Sequence, residues 1–351
     1  MISDRIRRSV RSELHSSRLA QVGLALVVVI VLMATLAPFI VPHHPEAQQV
    51  GTGDTEDRTN LPPIGFSTEH IQTTPDGQTE IVREGSLEHP MGTNTRGQDV
   101  FSRFVYGARV SLLVGLLGAG IATVLGVPYG LAAGYFGGRT DDALMRGADV
   151  MLAFPSLVLA IALVGVFRDS GFHTTGLPDP FVYAARHDIL GWVIPRSDHV
   201  ASMPSSVTFP VTVTLVVALV NWVWFARVAR GEAISIRQQE YVKAAKSIGA
   251  SHLTILRQHV LPNSLTPIIV LATIQVAAII LLESALSYLG FSGTTLTWGQ
   301  DIARGQSDQR SQWWIATMPG LGIVFAVIGV NLIGDWLRDA LDPSIEGEGG
   351  V

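Results

Sequence analysis

Apolar residues in this chain come in runs of about twenty, the length a helix needs to cross a hydrocarbon core of about 30 Å. Leu19 to Ile40 carries no charge and forms the first such run. Further spans are predicted at about 110–134, 147–167, 210–225, 266–290 and 318–334. The expectation is an all-α polytopic membrane protein with six transmembrane helices and extended outer loops. Residues 43–88 mix Pro, Gly, Asp, Thr and Glu with no helical period, so they read as an exposed, partly irregular outer segment. Val100, Phe101, Phe104 and Val105 then recur at a spacing that predicts a short helix lying on the membrane surface. A second outer loop covers 168–208, where Trp192 is expected at the interface, and a third covers 291–317. Trp298, Trp313 and Trp314 suit an aromatic belt.

Within the spans, small and charged residues carry the specific expectations. Gly126, Gly130, Gly134 and Gly138 repeat every four residues and line one helix face, which lets helices pack backbone to backbone in lipid. Pro128 is a candidate kink, and Arg139 to Arg146 make a short inner loop. Arg103 and Arg109 are read as snorkelling to the interface. Asp149 lies near a cytoplasmic end, where it can be hydrated or paired. Glu283 sits inside the fifth span, where an ionisable group costs about 2.5–3.5 kcal/mol on insertion scales. Two readings of it stay open: a polar contact between helices, or a position lining a pathway.

Between the fourth and fifth spans lies a stretch that belongs in water. Tyr241, Ala244, Ala245 and Ile248 recur at helical spacing and make one apolar stripe. Gly249 stands where a C-cap glycine would break the helix. Ser251 can cap a second short helix carrying Leu253, Leu256 and Val260 on one side, and Pro262 is expected to end it. The product is a helix–turn–helix elbow over 240–262, with small alanines on its exposed face. Such an elbow fits a groove on a partner; an ordinary loop is the plain alternative.

Composition narrows the chemistry. The 351 residues are 48% hydrophobic and 15% charged, against about 25% charged in soluble domains. A net charge of −5 argues against nucleic acid as a partner. With no cysteine, disulfides and thiolate chemistry are excluded. Lys243 and Lys246 are the only lysines and neither follows a glycine, so the Gly-Lys-Ser/Thr of a P-loop is missing. Any ATP must be hydrolysed elsewhere, and no enzyme activity or bound cofactor is expected of this chain. His43, His44, His70 and His89 fit no metal-ligand spacing. No histidine lies in a predicted span, which argues against an intramembrane Ser–His hydrolase. A secondary transporter would carry several mid-membrane charges and an internal repeat; Glu283 is the one clear mid-membrane charge, and no repeat is visible.

The elbow, Glu240-Tyr-Val-Lys-Ala-Ala-Lys-Ser-Ile-Gly249-Ala250 and about a dozen residues later Leu261-Pro262-Asn263, resembles the EAA loop of ABC importer permeases, in the form found in the dipeptide/oligopeptide/nickel group. Lys243 stands where the motif has glutamate, and Glu240, one turn earlier, can pair with it. Three further blocks are similar to the same group: His89 to Gly115, Glu283-Ser-Ala-Leu-Ser-Tyr-Leu-Gly290, and Leu-Arg-Asp-Ala-Leu-Asp-Pro343. The resemblance covers roughly 89–167 and 209–343. It implies a MetI-like permease of six helices that couples to ATPases through 240–262. Its implied partners are a homologous second permease, two ATPase subunits holding ATP and Mg, and an outer solute-binding protein. Di- or oligopeptides are the implied cargo, with nickel or another small solute as the alternative.

The organisation expected is an Arg-rich cytoplasmic tail and anchor over 1–42, an outer polar segment with its interfacial helix over 43–106, a permease core over 107–343 containing the loop 227–266, and an acidic tail over 344–351. The inner segments of this topology hold more than half of the 24 Lys and Arg residues, which places both termini in the cytoplasm of a cell-membrane protein.

Overall fold

In the computed structural model, residues 14, 17–50, 58–74, 77–167, 174–187, 198–306 and 312–341 are described. The N-terminal arginines up to Arg11, Trp192 and the acidic tail lie outside them. Helix α1 (Arg18–Thr35) starts at Ser17, whose hydroxyl accepts from the Ala20 amide at 3.2 Å. A single turn, α2 (Ala37–Ile40), follows. The outer segment is more ordered than its composition suggested: β1 (Ser67–Thr74) and β2 (Gly77–Glu84) pair antiparallel as a hairpin.

Helix α3 (Val100–Phe136) runs unbroken through the expected interfacial helix and the second span, and through Pro128. Asp99 caps it, accepting from the Ser102 amide at 2.7 Å. At about 1.5 Å per residue this helix is far longer than a hydrocarbon core, so it extends well beyond the lipid. Gly137, at φ +67°, ends it. Residues 139–146 are helical rather than a loop, as part of the amphipathic α4 (Gly138–Leu152). Ala153 to Pro155 turn the chain by 91° into α5 (Ser156–Phe167), so the third predicted span is a bent pair.

The second outer segment holds β3 (Thr175–Pro178), α6 (Pro180–His187), α7 (Asp198–Ser202) and β4 (Ser206–Phe209), with β3 and β4 paired. Next come α8 (Val211–Ile236), α9 (Glu240–Ser247), α10 (His252–Ile255), a π turn (Leu256–Val260) and α11 (Leu261–Tyr288). The chain closes with α12 (Trp298–Gly305) and α13 (Trp314–Leu341). Among the described residues, five helices are long and apolar enough to cross a membrane, or six spans when the bent pair counts as one.

Helices α3 and α8 form the most extensive contact in the fold. A methyl added at Gly126, Gly130 or Gly134 would stand 2.2, 2.0 or 2.3 Å from the carbonyl oxygens of Trp222, Ala226 and Arg230 in turn. Gly138 keeps the spacing but not the contact: it follows the break at Gly137, sits at φ +52° and has open space where a Cβ would go. Gly130→Ala is therefore expected to lower stability by about 1–3 kcal/mol, the usual cost of overpacking. Gly120→Ala, on the same helix with nothing near its added methyl, should gain about 0.5–1 kcal/mol of helix propensity. Thermal unfolding of the two variants in detergent checks the contrast; equal melting would remove the packing account.

The outer arginines do not snorkel. Arg103 is buried and donates to Asp301 of α12 through Nε at 2.9 Å and Nη2 at 2.5 Å, with Nη1 on Gln98 and the Pro45 carbonyl. Arg109 pairs with the buried Asp179 and lies over the Tyr106 ring. Each ties a long helix to an outer segment. Trp298 and Trp314 are also buried, donating to the Phe104 and Thr93 carbonyls, rather than sitting in a belt.

Candidate functional site

The elbow projects from the ends of α8 and α11 and is anchored from beneath. Val242, Ala245, Ile255 and Val260 enter one apolar cluster with Ala229, Ala233 and Ile236 of α8. Ala250 and Leu261 pack against its side. Elbow and span therefore share a core and move together.

The turn is closed by backbone bonds. The Gly249 amide donates to the Lys246 carbonyl and the Ala250 amide to the Ala245 carbonyl, both at 3.1 Å. This is a Schellman closure, which needs a left-handed residue after the C-cap. Gly249 supplies it at φ +87°. Ser251 opens the next turn by accepting from the Thr254 amide at 3.2 Å.

Pro262 does not end a helix, as its missing donor suggested. It falls in the first turn of α11, where no intrahelical donor is needed. The π turn just before it keeps the helical path continuous from His252 to Tyr288, with the Leu261 amide reaching back to the Leu256 carbonyl. Pro262 itself is exposed.

Facing outward are Tyr241 (45% exposed), Ala244, Ile248 (86%) and Leu253 (65%). The stripe expected from the sequence is thereby split. Ala244 lies on the open face, but Ala245 is only 9% exposed and points into the core. Leu253 and Val260, expected on one side, also part: Leu253 is open and Val260 buried. An exposed apolar cluster of this kind, on a rigid polar-flanked helix, has the form of a docking surface.

Charge frames the patch. Lys243 Nζ lies 2.8 Å from Glu240 Oε1, the pairing the sequence offered. That hydrogen bond holds the Glu240 carboxyl below its ordinary range. Behind the elbow, Arg230 grips Asp141 of α4 with two parallel bonds of 2.5 and 2.7 Å, and Arg227 meets Asp149 at 2.7 Å. The sequence placed these arginines between span and elbow but gave no sign of their partners, which lie far away along the chain.

Glu283 is fully buried. Ser287 Oγ donates to it at 2.5 Å and Ser284 Oγ at 3.4 Å. Ser111 of α3 and Thr297, the cap of α12, border the same nest. The carboxyl thus sits among this chain's own hydroxyls, where α11 meets α3 and α12.

Residues 126–347 match the family described as binding-protein-dependent transport system inner membrane component. Residues 7–63 match the N-terminal TM domain of oligopeptide transport permease C. A putative peptide transport system permease protein of Brucella suis biovar 1 is 34% identical over 332 residues, covering 94% of this chain and 89% of the relative. The dipeptide transport system permease protein DppC of Alkalihalophilus pseudofirmus is 33% identical over 341 residues, covering 97% and 90%. The oligopeptide transport system permease protein OppC of Bacillus subtilis is 29% identical over 333 residues, covering 94% and 87%.

Proposed function

The chain belongs to the binding-protein-dependent inner membrane transport components, and from that premise we propose that it is one permease of an ATP-driven importer of di- or oligopeptides. Family membership makes it a transport subunit of a multi-pass inner-membrane complex rather than an enzyme. Relatives carrying dipeptide and oligopeptide names align over nearly the whole chain, which supports the peptide cargo over nickel or another small solute.

The elbow carries the mechanism. Tyr241, Ala244, Ile248 and Leu253 dock into a cleft on an ATPase subunit, with Glu240, Lys243, Gly249 and Ala250 shaping the rim. ATP and Mg bind on two such subunits. A homologous permease completes the pathway, and a solute-binding protein delivers cargo from outside. Both termini face the cytoplasm in this assembly. Closure of the ATPases pulls the elbow, and the cluster beneath it passes the movement to α8 and α11. ATP drives the switch only by favouring one conformer over the other. Glu283 acts as a polar clasp between helices rather than as a wall of the pathway, which accords with its complete burial.

The observation that carries this reading is the outward patch on a rigid base. Because the chain has no cysteine, a single introduced thiol reports one position. Ala244→Cys should crosslink to a co-expressed ATPase subunit, whereas Ala245→Cys, buried in the core, should crosslink weakly or not at all. If Ala244→Cys never reaches an ATPase with all partners present, the reading fails. Uptake of labelled dipeptide into proteoliposomes of the complex, abolished without ATP, tests the cargo.

A further inference from the structure

Outside the coupling surface, three groups from separate parts of the chain meet at the start of α3. His43 follows the first anchor, His89 precedes α3, and Asp99 caps that helix. Each offers one donor atom within 4.8 Å of the others. The two imidazoles stack with centroids 4.5 Å apart and planes 25° from parallel.

The hydrogen bonds fix which atoms are available. One Asp99 oxygen accepts from the Ser102 amide at 2.7 Å and the Ser102 hydroxyl at 2.5 Å. Its other oxygen lies 2.9 Å from His89 Nδ1. A carboxylate is an acceptor, so Nδ1 carries a proton, and in the neutral ring the lone pair is at Nε2. His89 is 1% exposed, and its Nε2 has no hydrogen-bond partner among the described residues. An unpaired polar atom at that depth costs stability unless something occupies it. His43 repeats the pattern: its Nδ1 is buried and without a partner among the described residues, while its Nε2 lies 3.8 Å from Glu88.

We propose that His43 and His89, with Asp99 orienting His89 from behind, form a binding site for a divalent transition-metal ion of the zinc or nickel type. A carboxylate that fixes a ring through Nδ1 and frees Nε2 is the arrangement that supports histidine ligands in metal sites. Imidazole nitrogens suit borderline ions better than calcium or magnesium, which prefer oxygen. Metal–nitrogen bonds of about 2.0–2.1 Å lie in the plane of each ring, so the partly exposed His43 must turn out of its stack with His89 for both nitrogens to meet one ion. The Glu88 carboxylate, paired with Arg58, lies beside His43 and is in place to balance charge. Such an ion would staple the outer end of the first anchor to the head of α3.

The full-length chain, purified without a histidine tag, should bind one Zn2+ or Ni2+ per molecule in titration calorimetry, with elemental analysis after dialysis as the second readout. His43→Gln and His89→Gln should each weaken binding by about tenfold or more. His44→Gln should change nothing, since that ring lies outside the cluster and accepts from the Glu46 amide next to it. His89 is deeply buried, so its variant counts only with unaltered helical circular dichroism; otherwise His43→Gln, at a partly exposed ring, decides. Binding that survives His43→Gln unchanged, or no uptake of either ion by the wild type, overturns the proposal.

Discussion

Asp301→Ala should destabilise the protein by about 3–5 kcal/mol, the usual cost of stranding one partner of a buried ion pair. Arg103 is only 3% exposed and has Asp301 as its acidic partner. Gln98 and the Pro45 carbonyl accept from Nη1 of the guanidinium, but neither balances its charge. Arg304 lies 3.8 Å from the same carboxylate, so removal of Asp301 also leaves two cations facing each other. Thermal or denaturant unfolding in detergent measures the loss. The double change Arg103→Met with Asp301→Leu should recover most of it, because the charge is then removed rather than orphaned. A single variant that melts like the wild type would show that the pair does not hold α12 to α3.

Gly249→Asp should reduce ATP-driven uptake to background while the protein stays in the membrane at its normal level. A Cβ at this position meets nothing within 4 Å, so the fold has room for a side chain. The left-handed backbone there, φ +87°, costs an ordinary L-residue about 1–2 kcal/mol. Asparagine tolerates that conformation, so Gly249→Asn separates backbone strain from charge. It should retain much of the activity. Aspartate instead places a carboxylate beside Ile248 on the proposed docking face, where burial against a partner would strip it of water at a cost of several kcal/mol. Membrane abundance and ATP-dependent uptake in vesicles, measured together, decide the matter. Normal uptake by the Asp variant would place the coupling surface elsewhere.

The spans were legible because lipid imposes a length and a polarity that a sequence displays directly. The elbow was legible for a different reason: Gly249 and Ser251 are local devices, and their hydrogen bonds close within five residues. What escaped depends on distant neighbours. Helical period groups Ala244 with Ala245, but burial by α8 decides that only Ala244 faces out. Gly138 fits the four-residue repeat, yet the reversal at Gly137 takes it off the helix face. Pro262 looks like a terminator until the π turn before it moves the helix start around it. Arg103 reads as a snorkelling residue because its acid stands nearly two hundred residues away on α12, and the hairpin at 67–84 is hidden by its polar composition. The histidines failed every spacing rule because His43 and His89 meet only after the whole outer segment has folded back.

The π turn at Leu256–Val260 has a consequence for aim. An α-helix winds by about 100° for each residue, and this turn absorbs one residue more than an α turn would. The surplus sets the compass bearing of the knuckle relative to the shaft it is mounted on. With ordinary winding through 256–260, the same side chains on the same shaft would swing by about that angle and address a different neighbour. On the proposed coupling role, direction of pull, as distinct from strength of grip, is thus written into the five residues of that turn.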